Sequence, residues 1–122
     1  MSNNQFIDFN QIFKDRTKKF SILVIKTLSS LPYSDDVSII RKQIIRSSTS
    51  VAANYRAVSR ARSEKERFAK ICIVVEEIDE TQLWLEIIEE LGYLPKQIKY
   101  LKSECDELVK VMTKYKFKLS QV

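Results

Sequence analysis

RKQIIRSSTSVAANYRAVSRARSEKERFAK (Arg41–Lys70) holds the end of one helical pattern, a capping signal and the start of the next, and its reading decides the fold. Up to Val58 the apolar residues recur three and four apart, which is the period of a half-buried α-helix and not of a strand. Ser63 followed by Glu66 is then a capping box, in which the serine oxygen takes one of the free N–H groups of a new helix. The joint between the two patterns is only a few residues long, so the helices must turn back on each other. Nine of the 21 Lys and Arg residues fall in this stretch, against only Glu64 and Glu66 on the acidic side.

Working outward, the helix that ends here spans about residues 35–60, with Ser34 as N-cap and Asp35 and Asp36 favourable to its dipole. Its seam is Val37, Ile40, Ile44, Ser47, Val51, Asn54 and Val58. The helix that begins at the capping box runs over about 64–91, with the seam Ile71, Val74, Ile78, Thr81, Leu85 and Ile88, before Gly92 supplies a stop. Upstream, Phe9, Phe13, Arg16, Phe20, Leu23 and Thr27, flanked by Ile12, Val24, Leu28 and Leu31, predict a helix over about 8–30, N-capped by Asp8 and ended by Pro32. Downstream, Pro95 opens a helix over about 95–118, whose heptad is Ile98, Leu101, Cys105, Leu108, Met112, Tyr115 and Leu119. The expectation is all-α: one domain over residues 1–122, an up-down-up-down antiparallel four-helix bundle.

Composition agrees. The 122 residues are 44% apolar, enough for one core, and a single glycine with two prolines leaves few turn residues for hairpins. The net charge of +5 suits a polyanion, although it is also an ordinary charge for solubility. No apolar run approaches the roughly 20 residues of a membrane span, and the N-terminus lacks a signal pattern, so no membrane and a cytoplasmic location are expected. Cys72 and Cys105 have no metal-like spacing and read as buried free thiols. Histidine is absent, which excludes Ser-His and Cys-His catalysis, histidine metal ligation and histidine-dependent ribonuclease chemistry.

The acidic run Glu76, Glu77, Asp79 and Glu80 is the one candidate for metal or acid–base chemistry. Near-consecutive residues spread around a helix, so solvated charges or ion pairs are the simpler reading; a carboxylate-metal hydrolase would need Glu77 and Asp79 or Glu80 to converge on a neighbouring helix. No glycine-rich phosphate loop is present. No enzyme, metal or cofactor is expected. Ser47 and Asn54 read as hydrogen-bonded seam residues that fix register, with a ligand contact through Asn54 as the alternative. Tyr55, Tyr93, Tyr100, Tyr115 and Trp84 sit at helical spacing and read as core in preference to base-stacking platforms.

In this topology the start of the first helix, the end of the second, the start of the third and the end of the fourth share one end of the bundle. Arg56, Arg60, Arg62, Lys65, Arg67, Lys70, Lys114, Lys116 and Lys118 gather there and form the expected nucleic-acid contact set. Lys14, Arg16, Lys18, Lys19 and Lys110 join them, against Asp8, Asp15, Glu64 and Glu66, while the charges at the opposite end cancel. The back of the second helix, with Arg46, Thr49, Ala53 and Ala57, and the apolar flank of the third, with Ile73 and Trp84, form the expected oligomer interface: small residues admit another backbone, and arginines would meet its charges.

SVAANYRA (Ser50–Ala57), followed by SEKERFAKICIVVEEIDETQLWLEIIEELGYL (Ser63–Leu94), resembles the family named after intervening sequences in bacterial 23S rRNA genes, from Phe13 through the fourth helix. The resemblance implies small bundles that assemble into rings, typically homopentamers. It also implies kinship with the accessory protein of diversity-generating retroelements, a basic pentamer that binds reverse transcriptase and nucleic acid. It supplies no catalytic residues. The expected function is therefore a non-enzymatic homo-oligomer that binds RNA or other nucleic acid through its basic end. The alternative is a protein-interaction scaffold or accessory protein, for example for a reverse transcriptase.

Overall fold

Ser34 and Ser63 set the two central helices. Each has extended backbone, and its Oγ accepts a hydrogen bond from the N–H three residues on, from Val37 at 3.3 Å and from Glu66 at 3.1 Å. Such a cap is worth about 1 kcal/mol. In a computed structural model, which describes residues 3–121 and their side chains from Phe9 onward, the helices are α1 (Asn3–Leu28), α2 (Asp35–Ser59), α3 (Glu64–Glu90) and α4 (Pro95–Ser120). The first helix starts at Asn3, not Asp8, so Asp8 lies inside it and does not cap it; the Asp8 side chain is outside the described residues. Gly92, at φ +84°, takes the left-handed turn after α3, and its N–H bonds the Glu89 carbonyl at 2.9 Å.

The helices form a four-cornered, up-down-up-down bundle in which α1 packs on α2, α2 on α3 and α3 on α4. The ring closes weakly: the α1–α4 seam is by far the loosest, and α1 and α3 occupy opposite corners, as do α2 and α4. At one end Tyr55 Oη donates to Asn10 Oδ1 at 3.1 Å, and the Phe9 ring stands edge-on to Tyr115 at 5.2 Å. These contacts tie the start of α1 to the ends of α2 and α4. At the other end Arg41 Nη1 donates to the carbonyls of Leu28 (3.2 Å) and Leu31 (3.1 Å), stoppering the last turn of α1. Among the described residues no helix is long and apolar enough to cross a membrane.

All six α3 seam positions are buried, and so are the first five of α4. Two seams are displaced from expectation. On α2, Tyr55 is buried and Asn54 only half-buried, its Nδ2 turned back to the Ser50 carbonyl at 2.9 Å. On α1 the buried line is Phe13, Thr17, Phe20, Val24 and Leu28, with Leu23 and Thr27 to one side. A strict 4-3 repeat drifts about 20° per heptad from a straight helix, which moves the seam by one residue after two or three heptads. Ser47 is a core residue as expected: its Oγ lies 2.7 Å from Thr81 Oγ1, which is 2.8 Å from the Glu77 carbonyl oxygen. Ser21 Oγ likewise reaches the Ser48 carbonyl at 2.8 Å, so each hydroxyl at the α1–α2 and α2–α3 contacts has a partner.

Both cysteines are free, Cys72 half-buried and Cys105 fully buried. Burial, then the charges of Asp106 and Asp79, pushes the Cys105 thiol up to about 12 from its ordinary 9.0. Burial raises the Tyr55 phenol as well, with Tyr115 adding to the shift. A folded value above the unfolded one means that the contribution is complete below about pH 9 and is lost as the pH rises toward the folded value. For Cys105 alone the loss is about 1.4 kcal/mol per pH unit in that window. Urea unfolding from pH 7 to 11 should show a plateau and then a decline above about pH 9; a flat profile to pH 11 would contradict the burial argument.

Candidate nucleic-acid interface

The basic end is built from all four helices, but its members differ in availability. Arg67 is largely withdrawn: its side chain is 15% exposed, with Nη1 2.6 Å from Glu64 Oε1 and Nη2 3.4 Å from the Ala61 carbonyl. It braces the α2–α3 joint and does not present a free cation, contrary to expectation. Arg62 stands almost fully in solvent with Glu66 3.8 Å away, a contact too loose and wet to hold it. Arg56, Arg60, Lys65, Lys114 and Lys118 are exposed, and Lys70 and Lys116 half-exposed. Lys110 makes only a 3.9 Å exposed contact with Glu107, and Arg16 is tied to Glu104 at 2.6 Å. At the opposite end, Lys102 pairs with Glu89 at 2.9 Å.

Because α2 and α4 occupy opposite corners, the expected contact residues do not form one patch. They split into an α2–α3 group and an α4 group. One juxtaposition is of residues the sequence counted without singling out. Lys14 and Lys18 of α1 and Arg56 of α2 line a groove of about 330 Å³ whose floor is Ala52 and Ala53. None of the three has an ion-pair partner among the described residues. Lys14 and Lys18 lie four apart, one helical turn, and the alanines keep the floor low between them and Arg56. A phosphate in this groove is within reach of three cations with no carboxylate in competition. The sequence signal was present in this i, i+4 lysine pair, but its alignment with Ala52 and Arg56 needs the packing of α1 on α2.

Phe117 is a second residue that sequence reasoning passed over: it is 65% exposed among Lys114, Lys116 and Lys118. By contrast, Tyr55 and Tyr115 join Phe9 and Phe13 in an aromatic cluster under this end. Their phenols are shielded, and burial raises both.

The expected oligomer-interface residues are also separated. Arg46 is held inside the chain, its guanidinium pairing with Glu77 at 3.1 Å and with Glu80. The Glu80 hydrogen bond, ahead of the charges of Glu80 and Glu77, raises the Arg46 value further above its ordinary one. So Arg46 bridges α2 to α3, where it was expected to meet a neighbour's charges. In the same geometry Glu77 and Glu80 converge, but on a guanidinium. Among the described residues no cluster of three metal-type ligands forms. Thr49 turns its hydroxyl back to the Ile45 carbonyl at 2.7 Å, Ala53 is exposed and Ala57 half-buried. Ile73 and Trp84 are half-buried, with Trp84 packed against the core and its Nε1 buried with no hydrogen-bond partner among the described residues.

The 23S rRNA-intervening sequence protein family model matches residues 10–114. A crystal structure from Bacteroides thetaiotaomicron, of a protein with unknown function from the S23 ribosomal protein family, is similar at a TM-score of 0.79. The two are 26% identical, and the alignment covers 88% of this chain and 96% of that one. No curated protein matches this chain.

Proposed function

We propose, for a chain that belongs to the 23S rRNA-intervening sequence protein family, a non-enzymatic role: a homo-oligomeric bundle that binds RNA or another nucleic acid through its basic end. The observation that carries this reading is that seven cations drawn from all four helices lie at that end with no ion-pair partner among the described residues. They are Lys14, Lys18, Arg56, Arg60, Lys65, Lys114 and Lys118. Unpaired lysines and arginines neutralise phosphates and release counterions, which positions a nucleic acid without reading its bases. With about six phosphates engaged, log K for a generic RNA duplex should fall with log salt at a slope near −5. Absence of binding at low salt would remove the reading.

A second reading, a protein-interaction scaffold or an accessory protein such as one for a reverse transcriptase, draws on Ile39 and Leu83, which are 61% and 51% exposed and which phosphate binding does not use. On that reading, reversing Arg56 and Arg60 to glutamate abolishes partner capture and leaves RNA affinity unchanged.

A further inference from the structure

The second half of α4 carries charge of one sign. From Leu108 to Gln121 the chain has Lys110, Lys114, Lys116 and Lys118 and no Asp or Glu. Lys114, Lys116 and Lys118 have no ion-pair partner among the described residues, and Lys110 has only its loose 3.9 Å contact with Glu107. Glu64, the α3 carboxylate whose charge reaches Tyr115, is itself paired with Arg67 at 2.6 Å.

Lys110, Lys114 and Lys118 are four apart, so they form one row along the helix, about 6 Å from one to the next at 1.5 Å per residue. Phe117 follows Lys114 by three residues and Lys110 by seven, which places its ring beside this row, on the side of α4 away from the buried Leu108 and Met112. Among the described side chains the exposed aromatics are Tyr33, Tyr100 and Phe117. The two tyrosines belong to the opposite end and keep a hydroxyl in water; Phe117 offers a bare ring at the basic end. Its helix-surface neighbours Thr113, Ser120 and Gln121 are polar and exposed, so no apolar patch continues from it toward a protein or a lipid surface.

We propose that Phe117 is a stacking platform for an unpaired base, and that this face of α4 takes single-stranded nucleic acid. Lys110, Lys114 and Lys118 lie along the phosphates of the strand, and one base rests on the ring. Every base has a π-face, so such a platform accepts any sequence. A duplex keeps its bases stacked inside and gives the ring nothing to hold. The inference rests on the phosphate binding proposed above and adds to it a preference for unpaired strands on α4.

The test compares the full chain and its variants, checked for unchanged helicity, on a short uridine-rich RNA strand, an abasic strand of the same length and an RNA duplex. Phe117→Ala should weaken binding of the uridine strand about 5- to 100-fold, the range for one stacked base, without changing its salt slope or the affinity for the other two probes. Phe117→Trp should keep the affinity, and the uridine strand should quench its emission more than it quenches Trp84 in the wild type. Equal losses on the uridine and abasic strands would overturn stacking and make Phe117 a support for the lysine row. Undiminished binding of the uridine strand by Phe117→Ala would overturn the platform and leave phosphate binding standing. Retained strand binding with loss of binding to phosphatidylserine vesicles would make the face a membrane contact and overturn stacking. A wild type that binds neither strand nor duplex at low salt would remove phosphate binding itself, and the platform with it.

Discussion

Replacing Lys14, Lys18 and Arg56 together with glutamine is expected to lower the affinity for a generic RNA duplex about 10²- to 10³-fold at 0.1 M salt. The groove they line offers three cations from two helices around Ala52 and Ala53, with no carboxylate in its lining. Each phosphate neutralised contributes about 0.9 to the salt slope, and hence about 0.9 decade of affinity at 0.1 M salt. Losing three of six contacts should therefore reduce the slope from near −5 to near −3 along with the affinity. The paired readout separates loss of phosphate contacts from general damage, since unfolding lowers the active fraction without changing the slope. Two controls sharpen it. Arg67→Gln should cost stability and leave the slope nearly unchanged, because that guanidinium is only 15% exposed and braces Glu64 and Ala61. Lys42→Gln, an exposed cation at the opposite end, should alter neither. An unchanged slope in the triple variant would place the phosphates elsewhere, with the α4 lysines next to be examined.

Leu85→Ala should destabilise the bundle by about 3–4 kcal/mol, whereas Leu83→Ala, two residues away on the same helix, should change stability by less than about 0.5 kcal/mol. Leu85 is 0% exposed at the centre of α3, the helix that packs on both α2 and α4, and Leu83 is 51% exposed. Removing the Leu85 branch costs its transfer energy plus the cavity left between helices that cannot collapse toward each other. In a thermal melt this is a fall on the order of 10–15 °C in Tm. A large loss for Leu83→Ala would mean that Leu83 is buried within the chain.

Much of this molecule was legible in the order of its residues. Ser34, Ser63, Pro95 and Gly92 act locally, through hydrogen bonds to N–H groups three positions on, a fixed φ or a positive one, so helix boundaries near them could be read directly. The start of α1 was misread, because Asp8 offered an N-cap candidate that lies inside the helix. The α3 seam was read without error in spite of apolar residues on nearly every side of that helix. The α1 and α2 seams slipped by one residue, from Arg16 to Thr17 and from Leu23 to Val24 in α1 and from Asn54 to Tyr55 in α2, through the mismatch between a 3.5 and a 3.6 repeat. At the basic end the sequence supplied the count of cations and their shared end, but gave Arg67 and Arg56 equal standing.

What the sequence determined by itself is thus the class, the order of the helices and which end is positive, since these follow from periodicity, caps and short joints that act within a few residues. Only the tertiary structure decided which charges are spent and which remain. Arg46 and Arg16 are committed to carboxylates 31 and 88 positions away, Arg41 to the carbonyls of Leu28 and Leu31 at the end of α1, while Lys14, Lys18 and Arg56 are brought together with no ion-pair partner among the described residues. That sorting depends on which helix faces lie side by side. It is fixed by the packing of one seam on another, a long-range property that no short window of sequence contains.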